Sequence, residues 1–227
     1  MTWSELRRRF VERVYAAHND TPHIRDAVQR CRDRVSPLDW SLNLGSGYTQ
    51  RRSRTVNFDC VSTPTVDYLG FAHRLPFRTG AFKLVITQET LEHVRDPAST
   101  LDEIHRVLAS DGMLYCQLPF IIGYHPGPTD FWRFTREGIE ALVTRAGFRC
   151  DEIEVAVGPA TGFYRVAVEF TAVVASGVFS KLYFPAKAAA ALVFAPIKVL
   201  DRPLAKTPQV DRLAGGYYVI ARKSLSP

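Results

Sequence analysis

The stretch from Ser41 to Gly47 constrains the fold more than any other part of the chain. Residues 41–44 have the length and apolar pattern of a short buried strand, and Gly45-Ser46-Gly47 follows as a turn. Small residues in such a turn let a ligand approach the backbone closely. We therefore predict the first strand and the cofactor loop of an α/β domain. The loop alone does not identify the cofactor, because Gln50 stands where a dinucleotide fingerprint has its third glycine.

From Trp40 onwards, short apolar runs alternate with turns and amphipathic stretches. Strands are predicted at 41–44, 55–59, 66–70, 83–87, 113–118, 153–157 and 217–221. The run 83–87 is almost unbroken in its apolar character, as a strand buried on both faces requires. This alternation predicts a largely parallel, doubly wound sheet, in which ligands lie beyond the carboxyl ends of the strands.

Amphipathic spacing predicts helices between these strands and before them. Two helices are expected in residues 1–35, with apolar stripes formed by Trp3, Leu6, Phe10, Val14 and Ala17 and by Ile24, Val28 and Cys31. A further helix is predicted after Ser99, ended by Asp111-Gly112. Another is predicted after the capping residue Thr135, closed by Gly147.

Residues 160–213 interrupt the alternation and predict a helical insertion. One apolar helix face comprises Phe163, Val166, Phe170, Val173 and Val174. A second apolar stretch, 188–199, contains Pro196, which ends or kinks a helix. The longest uncharged runs are 170–180 and 188–197, shorter than the roughly 18 residues that a membrane span needs. Two interpretations stay open: a helical cap or dimer surface, or a helix that lies on a membrane or grips a lipidic substrate.

Composition and charge narrow the class of protein. The 227 residues are 46% hydrophobic and 23% charged, which suits one globular domain with an appendage. The net charge of +6 allows anionic partners, but no long basic block favours nucleic acid. The four cysteines lie far apart and make no metal-ligand spacing, so we expect metal-free chemistry. No apolar segment opens the chain, which predicts a cytoplasmic protein.

The acid at the end of the second predicted strand adds a cofactor signal. Asp59 closes the strand 55–59 at the same sheet edge as the glycine loop. A carboxylate in this place can accept hydrogen bonds from both hydroxyls of a ribose, and several nucleotide cofactors are bound in this way.

Four motifs in order then resemble one family. They are Leu42-Asn43-Leu44-Gly45-Ser46-Gly47, Ala72-His73-Arg74-Leu75-Pro76-Phe77, Gln88-Glu89-Thr90-Leu91-Glu92-His93-Val94-Arg95-Asp96-Pro97, and Glu103-Ile104-His105-Arg106-Val107-Leu108 followed by Asp111-Gly112-Met113-Leu114. Over about residues 40–150 the chain resembles the class I S-adenosylmethionine-dependent methyltransferases, most closely those with a type 11 methyltransferase domain. The resemblance implies a Rossmann-like α/β fold with a seven-stranded, mostly parallel sheet, helices on both faces and an antiparallel last strand.

The resemblance also implies a domain organisation and a cofactor. The whole chain, 1–227, would be one methyltransferase domain. It would consist of an N-terminal helical cap (1–39), a cofactor-binding core (40–158), a helical insertion (159–213) and the last strand with its tail (214–227). The cofactor would be S-adenosyl-L-methionine.

The resemblance assigns roles around that cofactor. The glycine loop would pass beneath the amino-acid part and the sulfur, Asp59 would hold the ribose, and Phe71-Ala72 would flank the adenine. The implied cofactor-binding residues are Asn43, Gly45, Ser46, Gly47, Asp59, Phe71, Ala72, Gln88 and Glu89. Asn43, Tyr48 and Phe71 depart from the family pattern, since the family usually has an acidic or similar polar residue, a third glycine and an acid at these places.

The acceptor side is predicted at Pro119 to Thr135. Its candidate substrate-binding residues are Tyr124, His125, Asp130, Trp132 and Arg133, and its candidate catalytic residues are His125, His93 and Asp130. A histidine suits removal of a proton near neutral pH. In one interpretation Trp132 and Phe134 pack the loop onto the sheet while Arg133 pairs with an acid. In the other, His125 and Asp130 line the acceptor pocket. His93 could alternatively cap the following helix.

The sequence therefore predicts an enzyme that methylates oxygen or nitrogen of a small-molecule, sugar or lipid-linked acceptor. Alternative hypotheses are a non-catalytic or membrane-associated binding protein on the same scaffold, and an RNA methyltransferase. Expected partners are the acceptor, a membrane surface in contact with residues 160–213, and a second copy in a homodimer. Nucleic acid is not favoured. The expected location is the cytoplasm, including the inner face of its membrane.

Overall fold

A computed structural model describes residues 21–224. The stripe predicted at Trp3, Leu6, Phe10, Val14 and Ala17 lies outside the described residues. The strands are β1 (Ser41–Leu44), β2 (Thr55–Asp59), β3 (Tyr68–Leu69), β4 (Phe82–Gln88), β5 (Leu108–Pro119), β6 (Phe148–Val157) and β7 (Gly216–Lys223). The α-helices are α1 (Pro22–Asp33), α2 (Pro97–Val107), α3 (Arg136–Arg145), α4 (Pro159–Val178), α5 (Tyr183–Phe194) and α6 (Asp201–Leu204). Short 3-10 helices occur at Leu91–His93, Ser180–Leu182, Ala195–Leu200 and Val210–Arg212.

The strands form one seven-stranded sheet in the order β3-β2-β1-β4-β5-β7-β6. The pairs β1–β2, β1–β4, β2–β3 and β4–β5 are parallel, and the last strand is antiparallel. The predicted fold class is therefore confirmed. In this order the chain returns to the sheet centre between β3 and β4, so the carboxyl ends of β1, β2 and β4 meet at one edge.

The sheet core follows from the apolar strand runs. Leu84, Val85 and Ile86 of β4 are at most 2% exposed, because neighbouring strands and the covering helices exclude water from both sheet faces. The connection from β1 to β2, residues 45–54, contains only turns and irregular backbone. A crossover this short has no room for a long helix.

The ends of α2 differ from the sequence prediction. The helix begins at Pro97, before Ser99, because the Asp96 carboxylate accepts hydrogen bonds from the amides of Ala98 and Ser99. The helix ends at Val107 rather than at Asp111-Gly112. Leu108 already has extended backbone angles and pairs with Phe82 of β4, so strand pairing ends the helix before the glycine is reached.

Helix α3 agrees with the prediction at both ends. The Thr135 hydroxyl accepts a hydrogen bond from the Gly138 amide at 3.1 Å and caps the helix. Gly147 follows the last turn with φ of +84°, a left-handed conformation that glycine adopts at little cost.

The chain divides into two compact units. Among the described residues, the first, which we call the core unit, comprises residues 28–120, 124–154 and 217–224. The second, the helical unit, comprises residues 21–27, 121–123 and 155–216. The predicted insertion 159–213 falls entirely within the helical unit, whereas the other predicted boundaries remain predictions.

Within the helical unit, α4 is fixed by a residue far away in the sequence. The Asp201 carboxylate accepts hydrogen bonds from the amide of Ala160 at 2.7 Å and from the Thr161 amide and hydroxyl. An acid at a helix N-terminus satisfies unpaired amides and interacts favourably with the helix dipole. Asp201 therefore supplies the side-chain cap that Gly158, the residue before the helix, lacks.

The buried side of α4 is not the predicted apolar face. Tyr164 and Val168 are each 2% exposed and pack with Ala190 and Ala191 of α5. The exposed residues of α4 include the predicted apolar face itself, namely Phe163, Val166, Phe170, Val173 and Val174. The helix carries apolar residues on two sides, and helix packing rather than periodicity decides which side is covered.

One helical stretch in the described part of the chain, Ser180–Leu204, is long and apolar enough to cross a membrane by length and composition alone. Its α-helix ends at Phe194, and a 3-10 helix that contains Pro196 follows, as the sequence predicted for this proline. The inference from the sequence that residues 160–213 do not span a membrane stays a prediction.

Candidate functional site

Backbone groups of the glycine loop form hydrogen bonds that hold the loop at the carboxyl end of β1. The amides of Gly45 and Ser46 both donate to the Phe58 carbonyl, at 2.9 and 3.2 Å. The Gly47 carbonyl accepts hydrogen bonds from the hydroxyls of Thr63 and Thr65. Gly45 has φ of +70° and Gly47 has φ of +53°, a region that side chains disfavour. Both glycines are therefore required by the shape of the loop.

Asp59 lies directly beside this loop. Its Oδ2 accepts a hydrogen bond from the Gly47 amide at 2.8 Å, and its Oδ1 accepts one from the Val61 amide at 2.9 Å. Each carboxylate oxygen keeps further acceptor capacity, since an ionised carboxylate has about four lone-pair directions. Asp59 is thus fixed in orientation and still able to accept two ribose hydroxyls, as the resemblance implied.

Ser46 gives an independent indication of a ligand at the loop. Its Oγ is buried and has no hydrogen-bond partner among the described residues. A buried hydroxyl without a partner is unfavourable, so such a group indicates a ligand or ordered water. The glycine backbone, the Asp59 carboxylate and this hydroxyl are groups that the amino-acid and ribose parts of S-adenosylmethionine could contact, and their roles remain predictions.

Asn43 is mainly a sheet residue in this structure. Its side-chain amide donates to Asn57 Oδ1 at 3.0 Å, and Asn57 in turn donates to the carbonyls of Thr49 and Thr65. These contacts account for a buried asparagine pair between β1 and β2. The cofactor role implied for Asn43 remains a prediction.

The segment implied to flank the adenine is fixed at one end and open at the other. Phe71 is 68% exposed and stacks on His73, with 5.8 Å between ring centroids, whereas Ala72 is buried. Glu103 accepts a hydrogen bond from the Leu75 amide, and Arg106 donates to the Leu75 carbonyl while pairing with Glu103. An exposed aromatic ring beside a fixed turn is available to stack on a planar ligand.

Gln88 and Glu89 lie at the carboxyl end of β4, as predicted. The Gln88 side chain donates to Gln117 Oε1 at 3.1 Å, and the Glu89 amide donates to the Gln117 carbonyl. Glu89 has φ of +50°, an uncommon conformation for a residue other than glycine. The backbone therefore turns sharply at the place where the cofactor's methionine part is expected.

The acceptor segment is bound to the 3-10 turn after β4. The Phe131 amide donates to the Glu92 carbonyl, the Thr129 hydroxyl donates to the His93 carbonyl, and Trp132 Nε1 donates to the Val94 carbonyl. His93 Nδ1 also contacts the Thr129 carbonyl. His93 consequently does not cap α2, a role that Asp96 fills, and the helix-cap interpretation of His93 is wrong.

Asp130 and Arg133 form a two-point ion pair within this segment. Their atoms are 2.5 Å apart between Nη1 and Oδ1 and 2.7 Å apart between Nη2 and Oδ2. Asp130 Oδ2 also accepts the His125 amide at 2.8 Å. The Arg133 guanidinium holds the pKa of Asp130 well below its usual range, so Asp130 is an anion that orients its neighbours and is a poor proton acceptor.

Parts of both interpretations of the acceptor segment are therefore met. Arg133 pairs with an acid and Phe134 is buried, as the packing interpretation requires. His125 and Asp130 also lie side by side, as the pocket interpretation requires, while Tyr124 is 71% and Trp132 43% exposed. The assignment of these residues to substrate stays a prediction.

A cluster that the sequence analysis missed lies next to this ion pair. Glu92 is 0% exposed, and its Oε1 is 3.6 Å from Nε2 of both His93 and His125. Neither oxygen of Glu92 has a hydrogen-bond partner among the described residues, and burial raises the pKa of Glu92 to about 7. Glu92 and His93 are adjacent in the sequence, but His125 joins them only through the fold.

Comparisons with known proteins identify the class. Residues 4–116 match a family model described as a methyltransferase domain. Over 83 residues the chain is 36% identical to an uncharacterized 37.1 kDa protein in a transposon of Streptomyces fradiae; this match covers 35% of the chain and 23% of that relative. The chain thus spans about a quarter of the curated relative that it matches.

Solved structures share the fold at low sequence identity. A 1,6-didemethyltoxoflavin-N1-methyltransferase from Burkholderia thailandensis, with bound 1,6-didemethyltoxoflavin and S-adenosylhomocysteine, has a TM-score of 0.56 at 15% identity. That match covers 98% of this chain and 88% of the other. A putative sarcosine dimethylglycine methyltransferase from Galdieria sulphuraria has a TM-score of 0.53 at 15% identity, with 99% of each chain covered.

The chain belongs to the class I S-adenosylmethionine-dependent methyltransferases. The predictions of family, fold class and cofactor are confirmed at this level. The family match ends at Cys116, before the acceptor segment, so it gives no information on the molecule that is methylated.

Proposed function

We propose that this protein transfers a methyl group from S-adenosylmethionine to an oxygen or nitrogen of a small-molecule, sugar or lipid-linked acceptor. One observation supports the cofactor half most directly. The Asp59 carboxylate is fixed by the amides of Gly47 and Val61 beside a loop whose Ser46 hydroxyl has no partner among the described residues. This geometry suits a ribose on one side and an amino-acid group on the other.

The acceptor half of the proposal depends on the segment 124–135. Methyl transfer from a sulfonium is an in-line displacement, so the protein mainly aligns the acceptor and removes a proton when the acceptor is a hydroxyl or an ammonium. His125 and His93 are the candidate proton acceptors, with ring centroids 5.3 Å apart. Asp130 acts as a positioning residue for His125 through its backbone amide.

Cofactor binding can be tested by calorimetry with S-adenosylhomocysteine. We expect Asp59→Ala to weaken binding at least about tenfold, because two hydrogen bonds to a carboxylate contribute more than ~1.4 kcal/mol. Asp102→Ala removes a carboxylate that is 55% exposed and makes only a 3.9 Å ion pair, and it should bind as the wild type does. Equal affinity of the two variants would refute the ribose assignment.

The alternatives make different predictions in the same experiment. A non-catalytic protein on this scaffold would bind no S-adenosylmethionine even at millimolar concentration. An RNA methyltransferase would bind RNA with an affinity that falls steeply with salt, because phosphate contacts release counterions. Mass shifts after incubation of metabolite extract with labelled cofactor would identify the acceptor of an active enzyme.

We also infer that the helical unit contacts the surface of an anionic membrane. Its exposed apolar side chains include Phe170 and Val173 on α4 and Leu192 and Val193 on α5. The acids of residues 159–204 are engaged inside the unit, since Glu169 pairs with Lys187 and Asp201 caps α4. Exposed cations remain at Lys181, Arg202 and Lys206, so apolar area and positive charge occur on the same unit.

Flotation with vesicles of phosphatidylglycerol and phosphatidylcholine tests this contact. We expect the wild type to float and a Phe170→Ser, Val173→Ser variant to stay in solution. Leu38→Ser removes an equally exposed apolar side chain from the core unit and should still float. A wild type that does not float would refute the contact. Sedimentation that shows a wild-type dimer, lost in the double variant, would instead assign the surface to a homodimer.

A further inference from the structure

In the cluster of Glu92, His93 and His125, three atoms that can bind a cation lie close together. Glu92 Oε1 lies 3.6 Å from Nε2 of each histidine, and one ligand atom from each residue lies within 4.8 Å of the others. A hydrogen bond between nitrogen and a carboxylate needs about 2.7–2.9 Å, so no proton is shared at this spacing. The three side chains therefore place electron-pair donors around one space, where a cation would bind favourably.

The spacing suits a metal ion. Zinc binds imidazole nitrogen and carboxylate oxygen at about 2.0–2.2 Å with tetrahedral geometry, which separates neighbouring ligand atoms by about 3.3–3.5 Å. The 3.6 Å separations from Glu92 need to shorten only slightly to reach this range. Two histidines with one glutamate also form the ligand set of a zinc site that keeps a fourth position open.

The surroundings of His93 are those of a metal ligand, and His125 has a carboxylate nearby. The contact between His93 Nδ1 and the Thr129 carbonyl is favourable when Nδ1 carries the proton, which leaves the Nε2 lone pair directed at Glu92. His125 Nδ1 lies 3.5 Å from Asp130 Oδ2, the carboxylate partner that metal binding through Nε2 requires. Arg133 Nη2, 3.4 Å from the same nitrogen, is a donor only and has to move away from a protonated Nδ1 when a metal binds. Carbonyl and carboxylate partners of this kind fix the ring orientation of metal-binding histidines.

Charge and rigidity also favour a cation. The charge of Asp130 is balanced by Arg133, so the ionised Glu92 that metal binding requires would leave one negative charge for a cation. Hydrogen bonds join residues 92–94 to residues 129–132 and hold the segments that carry the ligands. The side chains of His93 and His125 are 16% and 28% exposed, which leaves an approach from solvent while Glu92 is fully buried.

We propose that Glu92, His93 and His125 form a binding site for a divalent transition-metal ion, with zinc as the best-matched ion. The site goes beyond the proposed methyl transfer and does not depend on it. With a metal bound, the two imidazoles are ligands rather than proton acceptors. The open position then takes water or an acceptor hydroxyl, whose proton a zinc ion makes easier to remove.

Titration of protein without a histidine tag tests the site. The protein is first treated with a chelator, and zinc chloride is then added in a calorimeter. We expect one zinc ion per chain and at least about tenfold weaker binding in Glu92→Gln, His93→Ala and His125→Ala. His23→Ala removes an exposed histidine on α1 and serves as the matched control, with unchanged affinity.

Two further measurements make the result decisive. Zinc should raise the melting temperature of the wild type and His23→Ala but not that of Glu92→Gln, which retains the side-chain shape and so tests the ligand without a cavity. Cobalt should give the visible absorption of a tetrahedral site only when all three ligands are present.

Zinc binding that is equal in Glu92→Gln and the wild type would overturn the proposal, as would no binding. Tighter binding of manganese or iron(II) than of zinc would retain the site but refute zinc as its best-matched ion.

Discussion

The sheet of the core unit and helix α4 of the helical unit are both apolar, yet they use their apolar residues in opposite ways. In β4 the central residues Leu84, Val85 and Ile86 are almost completely buried. In α4 the buried residues include Tyr164 and Val168, and an entire second apolar face is left exposed. The difference shows that an apolar pattern indicates what can be buried, whereas the neighbouring elements decide what is buried.

The same contrast applies to polar contacts. Around the glycine loop, backbone groups and Asp59 bind residues that are close in the sequence. In the helical unit, α4 is capped by Asp201, 40 residues beyond Thr161. Because the hydrogen bonds around the glycine loop are local, this loop can be recognised from the sequence. The cap of α4 cannot, because it is formed by a residue far away in the sequence.

The largest expected effect on the free energy of unfolding comes from a substitution in the glycine loop of the core unit. In Gly45→Ala, the new β-carbon would lie 2.0 Å from Thr90 Oγ1, and φ of +70° would be strained. We expect a loss of roughly 3 kcal/mol in the free energy of unfolding, measured with urea. Gly47→Ala has φ of +53° but no atom within 4 Å, so it should lose only about 1 kcal/mol. Equal losses would show that the close contact with Thr90 is not decisive.

The next prediction compares two valines on the same helix. Val168 is 2% exposed and packs against α5, whereas Val173 is 59% exposed. Val168→Ala should cost about 2 kcal/mol of unfolding free energy, because it leaves a cavity. Val173→Ala should change it by less than about 0.5 kcal/mol. A large cost at Val173 in solution would mean that a partner, such as a second copy, covers this face.

The smallest expected effect concerns the turn beside Phe71. The hydrogen bond from Arg106 lowers the pKa of Glu103, so the folded state favours the ionised carboxylate more than the unfolded state does. Its contribution to stability is therefore present above the ordinary pKa of about 4.3 and is lost as the pH falls through the lowered value. Glu103→Gln should lose roughly 1 kcal/mol at pH 7 and progressively less at acidic pH. A difference that does not change with pH would exclude this ion pair as its source.

Most of the fold was predictable because its signals are local. The strand runs, the cap at Thr135 and the sharp turn at Gly45 are set by neighbouring residues, and the structure agrees with them. The end of α2 was predicted too late. Pairing of Leu108 with Phe82 starts β5 before the glycine that the sequence offered as a stop.

The candidate site was predictable only in part, for the same reason. Asp59 could be identified because it closes a strand at the edge where the glycine loop lies. Glu92 carried no such signal, since an acid in a polar motif is usually exposed to solvent. In the fold, segment 129–132 forms hydrogen bonds to the backbone of Glu92 and of the next residues, a long-range contact that no local pattern shows.

By itself the sequence determined the class of this protein: an alternating α/β chain, a glycine loop, an acid that ends the second strand and ordered motifs are consequences of local spacing. Only the tertiary structure decided which face of α4 is covered and that His125 meets Glu92 and His93. Both outcomes depend on contacts between residues far apart along the chain. Local patterns do not encode such contacts, because their free energy arises only when distant segments exclude water together.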